Sequence, residues 1–186
     1  MNATVNQSRL LRRGRVFDFT LENVTLETGV TLDMEIIRHP GAAAIVPLTD
    51  DRQVMMLNQY RHAAGQSLWE IPAGTLEKNE TTSECARREL VEETGYDALQ
   101  WDNIGSVIPV PGYSDESIDL FLARQLEPAR QQLDADEIIE VHPIPLETVI
   151  EMIDRGDIND AKTVVAIFRT IRQLGLCSVL GSSSAV

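Results

Sequence analysis

The 186-residue sequence predicts a mixed α/β fold, a small antiparallel sheet followed by a larger sheet with helices, and three observations carry that expectation. Residues 15–37, RVFDFTLENVTLETGVTLDMEII, alternate apolar and polar side chains as half-buried strands do. Residues 42–48 (AAAIVPL) and 53–60 (QVMMLNQY) are nearly continuous apolar runs, the pattern of strands covered on both faces. Thr81 is followed three residues later by Glu84, a capping box, and Gly95 suits a helix C-terminus, which bounds a helix over 82–94.

Taken in order, the turn Glu27-Thr28-Gly29 divides the first segment into short antiparallel strands. Thr49-Asp50-Asp51-Arg52 joins the two apolar runs. After the capped helix, LQWDNIGSVIPV (99–110) and SIDLFLARQL (117–126) read as strands separated by the turn Pro111-Gly112-Tyr113. The acidic loop QQLDADE (131–137) precedes a further strand, IIEVHPI (138–144). Pro145-Leu146-Glu147 opens a second helix running through Asp154, and a third spans about Asp160 to Leu174. The expected organisation is therefore an N-terminal antiparallel sheet over 1–38, a main domain over 39–176 and a flexible tail over 177–186.

Composition narrows the function. With 43% hydrophobic and 24% charged residues, the chain is neither collagenous, coiled-coil nor wholly disordered. A formal net charge of −13 argues against nucleic acid and anionic membranes as partners. An anionic substrate must then meet a local group of cations. Cys85 and Cys177 form no CxxC pair, so no disulfide framework or zinc site is expected and a reducing cytoplasm fits. No segment has the apolar length of a secretory signal or a membrane span, so the expectation is a soluble protein.

Within the capped helix, an advance of about 100° per residue places Glu89, Glu92 and Glu93 on one side. Like charges at i,i+4 cost a few tenths of a kcal/mol on an isolated helix. A hard divalent cation would reverse that sign, and magnesium suits oxygen ligands beside a substrate phosphate. On the helix charges alone, a solvated acidic face with Glu84–Arg88 and Arg88–Glu92 pairs is the simpler account.

The longer pattern decides between them. Gly74, five residues, Glu80, seven residues, then Arg88-Glu89-Leu90-Val91-Glu92-Glu93-Thr94-Gly95-Tyr96 resembles the signature of the Nudix hydrolases, GX5EX7REUXEEXGU; every fixed position is matched, and Tyr96 stands where a bulky aliphatic residue is usual. The resemblance implies an α/β/α sandwich around a mixed sheet and hydrolysis of a nucleoside diphosphate linked to a further group. It implies Glu89 and Glu93 as main metal ligands, Glu92 assisting them, the Ala73 carbonyl joining them, and Arg88 and Gly74 in supporting structural roles.

HPGAAAIVPL, NQYRHA, WEIPAG, PGYSDE, LDADEIIEVH and INDAKTVVA together resemble the ADP-ribose and nucleoside-diphosphate-sugar pyrophosphatase branch. Its marker proline, sixteen residues past Gly95, is Pro111; Tyr113 lies near where dinucleoside-polyphosphate hydrolases place a tyrosine. In that branch Arg61 binds the diphosphate or terminal phosphate, with Arg38 and Ser114 as further substrate contacts and Glu116 approaching the metal cluster. The general base comes from the acidic loop, where Glu137 matches best, with Asp136 and Glu140 as neighbours able to substitute. Trp69 and Glu70 are expected to pack and position the Ala73-Gly74 loop, and His62 and His142 to be structural. The resemblance implies Mg2+ or Mn2+ and a homodimer built on the N-terminal sheet. The implied reaction is ADP-ribose to AMP and ribose 5-phosphate, the alternatives being an ADP- or GDP-hexose hydrolase and a non-catalytic ADP-ribose sensor.

Overall fold

The structure is a computed structural model that describes residues 2–133 and 138–176. The chain forms two compact units, residues 1–41 with 108–117, and residues 42–107 with the chain from 118 onward.

The first unit is a three-stranded antiparallel sheet, β1 (Ala3–Arg13), β2 (Asp18–Leu26) and β3 (Thr31–Arg38), in that order. Alternation correctly points to β2 and β3 on either side of the turn. It gives no sign of β1, because all eleven β1 residues are exposed and no buried face imposes a period on them. The buried side of β2 is Thr20, Glu22 and Val24, mostly polar. The segment 108–117 joins this sheet through backbone bonds: Ile37 N–H donates to the Tyr113 carbonyl at 2.8 Å, and Asp115 N–H donates to the Ile37 carbonyl at 3.2 Å. That segment thus belongs with residues 1–41 and not with the strands that flank it in sequence.

The second unit contains β4 (Ala42–Leu48), β5 (Gln53–Arg61), β6 (Gln66–Glu70), β7 (Ala73–Thr75), α1 (Thr82–Thr94), β8 (Tyr96–Val107), β9 (Ile118–Pro128), β10 (Ile139–Pro145), α2 (Leu146–Arg155) and α3 (Ala161–Gln173). Its seven-stranded sheet runs β10-β5-β4-β9-β8, with β6 beside β5 and β7 beside β4. The β4–β9 pair is parallel and the others are antiparallel, so the sheet is mixed.

All seven residues of β4 are buried, and they divide by parity. Ala42, Ala44, Val46 and Leu48 join Leu120, Leu122, Leu146, Val149, Ile167 and Ile171 in one core, on the side of α2 and α3. Ala43 and Ile45 join Phe121, Ala123, Cys85, Ala86 and Leu90 in the other, on the side of α1. A sheet covered on both faces needs apolar residues at every position, which is why this strand reads as a continuous run. Among the described residues, no helix is long and apolar enough to cross a membrane.

β4 and β5 pair only next to their turn, at Leu48↔Val54. Beyond it, β7 takes the edge of β4 at Ala42–Ala44 while β6 takes the edge of β5 at Leu57–Arg61. Residues 69–74 pass from one to the other, and the candidate site is built along that passage.

Candidate active site

Helix α1 forms as its sequence foretells. Thr81 Oγ1 accepts from Glu84 N–H, and the Glu84 carboxylate accepts from Thr81 N–H at 2.8 Å. Gly95 closes the helix in the left-handed region, at φ 73°, with its N–H on the Val91 carbonyl. The buried side is unusual for a helix of this length: Cys85, Ala86 and Leu90 share it with Glu89, which is 8% exposed, and Glu93, which is 1% exposed. Buried carboxylates persist only where they are paired or hydrogen-bonded.

Arg88 supplies much of that pairing. Its Nε and Nη2 hold the Glu80 carboxylate at 2.8 and 3.0 Å, while Nη1 donates to Glu89 Oε1 at 2.6 Å and Glu92 Oε2 at 3.0 Å. Nη2 also reaches the Thr75 carbonyl at 3.2 Å. One guanidinium thus ties the stretch before α1, through Thr75 and Glu80, to two carboxylates of the helix. The hydrogen bond from Arg88, outweighing burial, holds the Glu80 carboxyl below its ordinary range. The bonds it donates to Glu80, ahead of the charge on Glu89, raise the Arg88 pKa still further. The Arg88–Glu92 pair forms as expected, whereas Glu84–Arg88 does not: Glu84 is committed to the cap and Arg88 turns to Glu80.

Each residue of the segment 69–74 has its own tether. Trp69 packs edge-on against His142, with ring centroids 5.1 Å apart. Glu70, 2% exposed, takes a two-pronged contact from Arg61, Nε to Oε1 at 2.9 Å and Nη2 to Oε2 at 2.8 Å. Lys162 Nζ also donates to Glu70 Oε2. Ile71 N–H donates to Thr163 Oγ1 at 3.0 Å, and the Pro72 carbonyl accepts from Ile45 N–H at 2.9 Å. Ala73 N–H donates to Glu93 Oε2 at 2.8 Å.

Gly74 lies against the Glu89 side chain so closely that a β-carbon there would overlap the carboxylate. The motif glycine is therefore required for close approach. Its carbonyl accepts from the Cys85 thiol at 3.4 Å, and burial pushes the pKa of that thiol up to about 12, which keeps it protonated as a donor.

The structure thus brings Ala73, Gly74, Arg88, Glu89, Glu92 and Glu93 together, with Glu80 added. Arg61 sits on Glu70, whose hydrogen bonds, outweighing burial and helped by the charges of Glu70 and then Glu93, raise its pKa. Glu140 is exposed and lies 3.4 Å from His142 Nε2. Asp136 and Glu137 lie outside the described residues.

Arg38, Ser114 and Glu116 belong to the first unit. There Arg38 holds Glu22 through Nε and Nη2, at 3.0 and 2.6 Å, and Asp115 through Nη1 at 3.0 Å. Ser114 Oγ accepts from Glu116 N–H at 3.1 Å, and Glu116 Oε1 is 3.9 Å from His39 Nε2. Sequence reasoning did not single out Glu22, Asp115, Asp160, Lys162 or Thr163. For Asp160 a signal existed, an Asp three residues ahead of Thr163 at a helix start.

Among the described residues, no group of three or more His, Cys, Asp or Glu is gathered so as to hold a metal ion. Glu89 and Glu92 are turned onto Arg88, and Glu93 onto the Ala73 amide. The donors nonetheless suit one: three carboxylates and an adjacent backbone carbonyl are the oxygen-only set of a hard divalent cation.

Comparison with known proteins agrees with this geometry. The chain is 39% identical over 156 residues to an ADP-ribose pyrophosphatase of Bacillus subtilis, covering 83% of this chain and 84% of that protein. It is equally similar to a methanol dehydrogenase activator of Bacillus methanolicus, with the same coverage. It is 33% identical over 167 residues to a GDP-mannose pyrophosphatase of Escherichia coli, covering 80% and 86%. In fold, the crystal structure of an ADP compounds hydrolase matches with a TM-score of 0.82 at 22% identity, over 96% of this chain and 97% of that one. Members of the Nudix family are generally dependent on divalent metal. Residues 38–166 match the NUDIX domain, and with the box geometry above, the chain belongs to that family.

Proposed function

We propose that this protein hydrolyses the diphosphate of ADP-ribose, giving AMP and ribose 5-phosphate. The observation that carries the proposal is the pair of buried carboxylates, Glu89 and Glu93, packed directly against Gly74 and the Ala73 amide. The Bacillus subtilis relative supports the substrate. In this reading Glu89 and Glu93, assisted by Glu92 and the Ala73 carbonyl, hold Mg2+, with Mn2+ as the substitute. The bound cation supplies Lewis acidity and charge neutralisation at the diphosphate. Arg61 binds the far phosphate, a task for a forked donor that stays charged. Glu137 takes the proton from the attacking water. Arg88 keeps Glu80, so the loop before α1 would stay in place with a cation bound.

The E. coli relative favours a second reading in which a nucleoside-diphosphate hexose is preferred. The same residues serve either substrate, since both present a diphosphate between a nucleoside and a sugar. Exposed Val5, Leu10, Leu11 and Phe17 on and next to β1 support a homodimer through the N-terminal sheet. The scarcity of cysteine supports a cytoplasmic setting.

The test is Mg2+-dependent turnover, read as phosphate released by an added phosphatase, over ADP-ribose, ADP-glucose, GDP-mannose, UDP-glucose, NADH and diadenosine polyphosphates. ADP-ribose leading by about tenfold in kcat/KM is the expected result. A leading hexose nucleotide selects the second reading, and leading diadenosine polyphosphates overturn both.

A further inference from the structure

Arg61 and Lys162 reach the same carboxylate from different elements, the end of β5 and the first turn of α3. Glu70 is 2% exposed and carries both cations on Oε2. Lys162, itself 11% exposed, also donates to Asp160 Oδ2 at 2.9 Å. Asp160 is the cap of α3: its Oδ2 accepts from Thr163 N–H at 3.0 Å and from Thr163 Oγ1 at 2.6 Å. Thr163 Oγ1 in turn accepts from Ile71 N–H at 3.0 Å. A continuous polar circuit therefore runs from Arg61 through Glu70, Lys162, Asp160 and Thr163 back to Ile71, next to Glu70 in the chain.

Two consequences follow from its charges and its geometry. Glu70 engages Arg61 through Nε and Nη2, and Nη1 makes no hydrogen bond to the described residues, so that edge of the guanidinium is the one that can meet an anion. Two acids and two bases make the circuit neutral. Without Lys162 it would carry a net negative charge beside the arginine that must meet a diphosphate. Burial pushes the Glu70 carboxyl up, and Arg61 and Lys162 together more than reverse this, so the acid stays ionised and keeps its grip on both.

We infer that Lys162 is a positioning residue for substrate binding: it fixes Glu70, and through Glu70 both the orientation and the unspent charge of Arg61, while anchoring the 70–73 segment that leads to Glu93. The inference rests on the proposed diphosphate hydrolysis, and its test separates the two.

In the full-length protein, Lys162→Met removes the charge and keeps the stem, and Lys162→Arg restores a cation. The expected result for Lys162→Met is a KM for ADP-ribose raised about tenfold or more with kcat within about threefold. Amide exchange at Ile71 and Ala73, measured without substrate, should be faster, and Lys162→Arg should recover most of both effects. Lys162→Gln also removes the charge while keeping a neutral donor, and should shift KM and exchange the same way by less, which serves if Lys162→Met does not fold. An unchanged KM, or a fall in kcat and Tm alone, would mean Lys162 is only a structural tether and overturns the inference. If the wild-type protein turns over no nucleoside diphosphate sugar, the functional reading fails and the substrate-positioning role of Lys162 fails with it, whatever the exchange at Ile71 and Ala73 shows.

Discussion

Helices α1 and α3 are both thirteen residues long and both begin at a side-chain cap, yet they bury different chemistry. α3 turns Ala166, Ile167 and Ile171 into the core, with Thr163 and Thr170 beside them. α1 buries Glu89 and Glu93 together with Cys85, Ala86, Leu90 and Thr94. Burying an Ile side chain stabilises by about 1.5–3 kcal/mol whatever its exact partners. A buried carboxylate stabilises nothing unless each oxygen is matched, and it constrains its neighbours to supply the match. α3 is held by area and α1 by directed contacts, which makes α1 the costlier helix to build and the one equipped for chemistry.

The sharpest way to break this contrast is to exchange the readouts. Glu93→Gln keeps the shape and removes the charge; turnover should fall more than about a hundredfold, beyond the loss usual for residues that only support a ligand, with Tm little changed. Ile167→Ala should do the reverse, costing about 2–5 kcal/mol in denaturant unfolding while the folded fraction turns over normally. Retention of more than a tenth of the activity in Glu93→Gln would show that the buried charge on α1 is not a principal ligand.

A smaller effect is expected at Gly74. Its α-carbon is not conformationally strained, so Gly74→Ala should fold, but the added methyl must displace the Glu89 carboxylate. Activity should drop about 10–100-fold, with a higher Mg2+ concentration needed for half-maximal rate.

The smallest effect is in acid. Glu80 has a folded pKa below its ordinary 4.5 because of Arg88, so its contribution is complete above pH 4.5 and is lost as pH falls through the folded value. Glu80→Gln should flatten the dependence of unfolding free energy on pH below 4.5. Ile171→Val in α3 should shift that curve without altering its slope.

The same contrast explains what the sequence disclosed. Both ends of α1 were legible because caps are local: Thr81, Glu84 and Gly95 act on backbone groups a few residues away. The runs at 42–48 and 53–60 were legible because two-sided burial leaves an unbroken apolar mark. β1 was not, since a strand with no buried residue carries no such mark. The box residues were legible as a pattern, but the reason for Gly74 lies in contact with Glu89 across the fold. Glu70 was expected to pack beneath the loop, and it does so as the shared counter-ion of Arg61 and Lys162. No local rule connects a lysine at 162 with a glutamate at 70, because only folding makes them neighbours.

The grouping of 108–117 with the N-terminal sheet has a bearing on how this chain is made and altered. The polypeptide passes between the two units three times, after residues 41, 107 and 117. During synthesis, β1 to β3 emerge long before Tyr113 and Asp115, which pair with the Ile37 backbone. The first unit is therefore the first to be translated, yet it cannot be completed until residues 42–107 of the second have been made. For the same reason it is not a detachable cassette: cutting the chain after residue 41 separates the sheet from the segment that completes it, and grafting residues 1–41 onto another protein transfers three strands without their fourth partner.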